Sequence, residues 1–307
     1  MLNGVHGEKI MAAQCSNKIP PCDVDRLSRA IPVYKNWIAN LNSVSGKNLD
    51  DLVSKLVCLL DDYKFFIDVD VIFDSHEDFL YRQKGQLKLD NTVIEEFLPI
   101  FVKRCLEMQF GSYPFEINTQ IPIFSSVSFQ SNLRTREVGG GISLKTKDQD
   151  FSISKTLYLK ASHSKDFAIK ETKTLVTRLG YVVAELKTNL DKTMFQEASA
   201  SAHDIKRAVM GAKYYLLCDF LDMTPINTAT TDIDEILITR KAKRISSNVR
   251  KKYNTYAGRQ NGRTDYVKYL KSHPYSIDVF KRFIDHIISQ TQGGDLNEEN
   301  VLKSGYF

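Results

Sequence analysis

The chain has 307 residues, 42% of them apolar and 26% charged, with a formal net charge of +5. This is the composition of a soluble protein able to bury a core, on the scale of two domains or one core with a helical addition. Five cysteines without a C-x-x-C pair speak against a disulfide framework and a zinc module. The small basic excess is compatible with a nucleic-acid partner without requiring one.

No apolar run approaches the ~18 residues of a membrane span, and the N-terminus lacks a basic segment followed by an apolar one. A soluble, unsecreted protein of a reducing cytoplasm is expected. Cys58, Cys105 and Cys218 sit in apolar runs and read as buried free thiols.

Residues 1–22 read as a flexible N-terminus ending at Pro20 and Pro21. Residues 23–110 read as a helical domain. Leu27, Ile31, Tyr34, Trp37 and Ile38 recur at helical spacing, as do Leu52, Leu56, Leu59, Leu60 and Tyr63 after Asn48 and Asp50 as candidate N-caps. A third helix is expected from Asp90 or Asn91, carrying Val93, Ile94, Phe97, Leu98, Phe101 and Val102, with Pro99 predicting a kink or restart.

After Phe110 the texture changes, and residues 111–307 read as the catalytic α/β domain. Short apolar runs alternate with turns through residue 180, including the triple glycine at 139–141. A strand ending at Lys187 follows, then a helix over Thr193 to Val209 and strands over Tyr214 to Cys218 and Ile233 to Thr239. A final helix is expected over Ser276 to Ser289. Strand, helix, strand in this order predicts a mixed sheet with a crossover helix.

The chemistry concentrates at the end of the first of these strands. A period of two puts Glu185 and Lys187 on one face with Leu186 on the other. A carboxylate beside an ammonium can hold a divalent cation and position a water, as metal-assisted phosphodiester hydrolysis requires. A second acid must come from a neighbouring strand. Asp166 is the first choice because it lies at hairpin distance upstream, and Glu171 is the alternative, since register is not fixed by sequence. Gln196 and Glu197 fall early on the following helix, where one could hold Lys187. Glu95 and Glu96 on the third helix could bring a further carboxylate, although acids in a first helical turn are also favoured by the helix dipole. An isolated E-x-K also arises as a surface ion pair; the apolar strand before it and the polar turn and helix after it favour chemistry.

The string V-A-E-L-K-T-N-L-D-K-T-M, a following strand, and then T-D-I-D-E-I-L-I-T-R-K-A-K-R resemble the PD-(D/E)xK type II restriction endonucleases, in particular the BbvCI-like group with CTNAG-core sites. Asp74-Ser75-His76, Asp78-Phe79 and Thr92 to Leu98 are similar to that group's helical region. The resemblance implies a PD-(D/E)xK core with a mixed central sheet plus the N-terminal helical domain. It implies Mg²⁺-dependent cleavage of double-stranded DNA leaving a 5′-phosphate, by a homodimer or a heterodimer with a related subunit, in the bacterial cytoplasm. It matches Asp166 to the family's first acid, Glu185 and Lys187 to its acid-x-lysine, and Glu96-Phe97 to its helical Glu-Phe pair. Residue 165 is Lys where the motif's proline would stand.

Arg240, Lys241, Lys243, Arg244, Arg250, Lys251 and Lys252 form a run without an acid, continued by Tyr253, Tyr256, Arg259 and Arg263. It reads as a phosphate-contacting arm. Gln130, Asn132, Arg134 and Arg136 before the triple glycine have the side chains that read guanine and adenine edges, although a plain exposed hairpin would look the same. The six histidines show no clustered ligand pattern; His163 and His203 read as surface residues and Trp37 as core. Two further readings stay open. One is a repair or recombination nuclease on the same core; the other is a DNA-binding protein whose E-x-K is only structural.

Overall fold

The computed structural model describes residues 4–130, 133, 134, 136–292 and 298–305. Helices come first. α1 (Val5–Gln14), α2 (Pro21–Ser43) and α3 (Leu49–Phe66) lead through a π-helical segment, Ile67–Phe73, to α4 (Asp78–Gln83) and α5 (Thr92–Phe110). The Asn48 side chain accepts the amide of Asp51 at 2.9 Å and so caps α3. α5 runs through Pro99 as one helix, so of the expected kink or restart the restart does not occur. The ring leaves the Glu95 carbonyl without its helical donor, and packing of the helix on both flanks outweighs that loss.

Residues 5–14, expected within a flexible N-terminus, form α1 instead, with His6, Gly7, Ile10 and Ala13 buried. Contact with α2 and α5 supplies the order that the short apolar pattern did not announce.

Five strands form the main sheet: β1 (Glu116–Asn118), β4 (Phe151–Ser162), β5 (Thr172–Leu190), β6 (Lys213–Leu221) and β7 (Glu235–Lys243), in that spatial order. β1, β4 and β5 pair antiparallel, and β5, β6 and β7 pair parallel. α6 (Lys192–Ala208) is the crossover between β5 and β6. β2 (Ile121–Phe129) and β3 (Ile142–Gln149) make a separate antiparallel pair. α7 (Ser247–Lys252), α8 (Tyr256–Ser272), α9 (Ile277–Gln292) and α10 (Glu298–Ser304) complete the described chain.

Alternation along β5 splits its side chains between two cores. Val182, Ala184 and Leu186 face a cluster shared with α2, α3, α5 and α9, so the N-terminal helices and the sheet bury one continuous core. Val183 faces the other cluster, against Phe195, Ala198, Ala202 and Ile205 of α6, and Leu190 joins it out of phase at the end of the strand. A third cluster joins Val69 and Phe73 of the π-helical segment to Tyr253, Tyr266 and Leu270. Cys105 and Cys218 are buried as expected, but Cys58 is exposed: it sits on the outer side of α3. Trp37 is core, stacked on Tyr63 at 4.2 Å. Among the described residues no helix is long and apolar enough to cross a membrane.

Candidate active site

β5 carries Glu185 and Lys187 on one face, as the alternation requires, and their side chains touch: Lys187 Nζ lies 2.7 Å from Glu185 Oε1. From β6, the buried Tyr214 hydroxyl donates to Glu185 Oε2 at 2.8 Å. Both carboxylate oxygens of Glu185 are therefore held before any ligand arrives.

The neighbouring acid is Asp150, in the turn between β3 and β4. Register explains its position. Phe151 pairs with Ala184, so the residue before Phe151 falls beside Glu185. Asp150 Oδ2 accepts the Leu186 amide at 2.8 Å, which ties the turn to the E-x-K segment. Burial pushes the Asp150 carboxyl above its usual range and the charge of Glu185 adds to this, against the Leu186 amide and the charges of Lys187 and Lys88. Burial also works against the charge on Lys187, but the hydrogen bond and charge of Glu185, then Asp150 and Glu197, outweigh it and hold the ammonium above its ordinary value.

α5 adds Glu95. Its carboxylate accepts from Gln120 at 2.6 Å and from Asn91 at 3.1 Å, and burial, then Asp150, push it upward. Glu96, the acid matched by resemblance, points the other way. It accepts from the amides of His6 (2.8 Å) and Gly7 (3.2 Å) and from the Tyr34 hydroxyl (2.6 Å), so it fastens α1 rather than facing the cleft. Adjacent helical residues differ by about 100° in direction, which separates the two.

Asp166 is not beside Glu185. β4 and β5 pair from Phe151 and Ala184 at one end to Ser162 and Thr172 at the other, and Asp166 is exposed in the connection beyond that far end. Thirteen positions of extended β5 separate Thr172 from Glu185, roughly 40 Å at strand rise. The expectation of a short hairpin failed because β5 is one long strand of 19 residues, paired with β4 along all 12 of that strand's residues. Glu171, the alternative, lies at the same remote tip, 3.4 Å from Arg136. Gln196 is exposed on α6 with no contact to the site; the adjacent Glu197 is the one whose charge reaches Lys187.

Asp150, Glu95 and Leu186 to Asn189 line a cleft of about 760 Å³. Arg82, Lys84, Lys88 and Asn91 form one wall, between α4 and α5. Arg244, Arg250, Lys251 and Asn254 form another. The basic run is thus divided in three dimensions. Arg244, Arg250 and Lys251 reach the cleft, with Arg244 held 2.7 Å from Asp222. Arg240 does not: it is 3% exposed, bonded to the His273 carbonyl at 2.8 Å and Asp61 at 3.3 Å, with its guanidinium on the Tyr275 ring. Lys241 pairs with Asp278 at 3.0 Å, away from the cleft. Lys243 and Lys252 are exposed outside it. Acids from distant segments meet this run, which sequence distance concealed. Arg259 is likewise buried, clasping the carbonyls of Phe73, Ser75, Glu77 and Tyr253.

Of the expected base-reading group, Asn132 lies outside the described residues. The Gln130 backbone N–H donates to the Gly141 carbonyl, Arg134 is exposed, and Arg136 donates to the His163 carbonyl at 3.0 Å. Gln130 and Arg136 gather with the β4–β5 tip, at the end of the hairpin away from Glu185. His163 is exposed there, and His203 pairs with Asp232 on the surface.

Mixed sheet, crossover helix and an acid beside E-x-K at a strand end define the class as an α/β restriction-endonuclease core. The model of the Bpu10I restriction endonuclease family matches residues 86–307. The chain belongs to that family, which makes it a type II site-specific deoxyribonuclease. A solved structure described as the native BbvCI A2B2 tetramer at low resolution matches with a TM-score of 0.52 at 16% identity, covering 90% of this chain and 100% of that one. No curated protein matches.

Proposed function

We propose that the cleft lined by Asp150 and Lys187, with Glu185 held against Lys187, hydrolyses phosphodiesters of double-stranded DNA with Mg²⁺, leaving 5′-phosphates. The observation that carries this reading is the register that sets Asp150 against Glu185-Leu186-Lys187 at the floor of a basic-walled cleft.

The donor set suits a hard cation. Two carboxylates stand side by side, and the charge of Glu185 helps to raise the proton affinity of Asp150, a repulsion that a divalent ion relieves. Among the described residues no three His, Cys, Asp or Glu side chains group as ligands. That fits Mg²⁺ better than a transition metal, because Mg²⁺ characteristically takes one or two carboxylates and fills its shell with water and substrate phosphate. Asp150 and Glu185 would hold it; when bound, it supplies an electrophile for the phosphate and a more acidic water. Lys187, kept charged by Glu185, orients the attacking water and offsets the negative charge growing on the phosphate. Tyr214 fixes the rotamer of Glu185, and Leu186 fixes Asp150. Arg244, Arg250 and Lys251 on one wall, with Lys84 on the other, contact the backbone.

Cutting both strands calls for two sites, so the chain works as a homodimer or with a related subunit. The BbvCI tetramer, described as A2B2, favours two kinds of subunit. Free cysteines and a DNA substrate suit the bacterial cytoplasm.

The test is incubation of the protein, alone and with any related subunit encoded beside it, with plasmid and Mg²⁺, followed by sequencing of the ends. Cleavage at one short sequence with 5′-phosphates is expected. Glu185→Ala and Lys187→Ala should each lower it by at least about 10²-fold, and Asp150→Asn likewise, while Asp166→Asn should leave it unchanged. Normal cutting by Asp150→Asn would remove the assignment.

A further inference from the structure

We propose that Lys88 is a second catalytic lysine, contacting a non-bridging oxygen of the phosphate under attack from the helical wall of the cleft. This rests on the nuclease reading above and adds to it a residue from outside the E-x-K segment.

Three independent observations converge on this side chain. It lines the same cleft as Asp150, Glu95 and Lys187, and its charge acts on both the Asp150 and Glu95 carboxyls. It is exposed, and among the described residues its ammonium has no ion pair or hydrogen bond. Among the cations nearest the acids, Lys187 is engaged with Glu185, and on its own wall Lys84 pairs with Asp90 at 3.8 Å. Lys251, also without an ion pair among the described residues, stands on the opposite wall with Arg244, which pairs with Asp222. Lys88 is therefore a cation beside the acids with donors to spare for a phosphate.

The backbone gives the third observation. Lys88 sits at φ +54°, a conformation natural to glycine and unfavourable for a lysine. It is held there from both sides. Its amide donates to the Gly85 carbonyl, and its carbonyl accepts from the Thr92 hydroxyl. Thr92 is in turn bonded to the fully buried His6 at 2.9 Å, whose other ring nitrogen meets the Tyr63 hydroxyl at 3.0 Å. A buried polar chain thus fixes the direction in which Lys88 leaves the wall. Strain held by surrounding structure at a cleft is a mark of use.

The experiment measures single-turnover cleavage of a duplex carrying the protein's own site. Lys88→Gly removes the ammonium and suits the backbone; Lys88→Arg keeps a cation. Lys88→Gly should cut about 10²-fold more slowly, with binding in EDTA weakened no more than about fivefold and a melting temperature equal to or above that of the unmodified protein. Lys88→Arg should recover most of the rate. Replacing the scissile phosphate by a methylphosphonate should weaken binding by the unmodified protein but not further weaken Lys88→Gly. Unchanged cutting by Lys88→Gly, or a slow rate that tracks a lowered melting temperature, overturns the proposal alone. An unmodified protein that cuts no DNA overturns the nuclease reading and this one with it.

Discussion

Asp150, the proposed metal ligand, carries a cost in stability that can be measured. Its carboxyl is held above the usual range by burial and by Glu185. In the metal-free protein the unfolded chain therefore gives up this proton at lower pH than the folded one. Stability is lost as pH rises from the ordinary carboxylate value through the raised, folded one. Asparagine has no such cost and keeps an oxygen for the Leu186 amide. Asp150→Asn should raise metal-free stability at neutral pH by about 1 kcal/mol, within the range found when strained functional groups are neutralised. The gain should vanish at pH 3. Urea unfolding at the two pH values checks both, and equal stability at neutral pH would contradict the electrostatic account.

At the scale of elements, α5 works on two sides. Glu95 faces the cleft and Glu96 faces α1. The Glu96 carboxylate receives two backbone amides and a tyrosine hydroxyl, and the chain passes so close that a Cβ on Gly4 would lie 1.9 Å from Glu96 Oε1. Glu96→Ala would leave those buried donors without an acceptor and should cost about 3 kcal/mol, with α1 losing amide protection first. Hydrogen exchange over residues 5–14 reads this directly. Metal-dependent chemistry should persist at temperatures where the variant stays folded, in contrast to changes at Glu185. The Glu-Phe pair was legible as a helical feature; its facing was not, because one step along a helix turns a cleft residue into a core one.

Across the whole molecule the basic run separates into two classes that composition could not tell apart. Arg250 and Lys251 line the cleft, whereas Arg240 is buried among His273, Asp61 and Tyr275. Arg250→Glu with Lys251→Glu should weaken binding to all DNA sequences and lower the salt slope by about 2 or more, about one unit per lost phosphate contact. Arg240→Ala should instead destabilise by about 3 kcal/mol or more, by stranding buried partners, and leave the salt slope of the folded fraction intact. Salt titrations of binding beside thermal melts separate the two, and equal salt slopes for both variants would erase the division.

The amino-acid order alone determined the strand that presents Glu185 and Lys187 on one face, the helix after it and the succession of parallel strands. These follow from local period and capping, which operate over a few residues. Asp150 escaped because its place depends on register between β4 and β5, set by Phe151 and Ile153 meeting the Val182–Ala184 run in the core. The distant Asp166 offered an equally acceptable acid at a shorter sequence interval. Only tertiary packing chose between them, as it chose Glu95 over Glu96 and buried Arg240 while leaving Lys88 at the cleft. Pairing over long separations decides which charged side chains meet, and no local pattern encodes that.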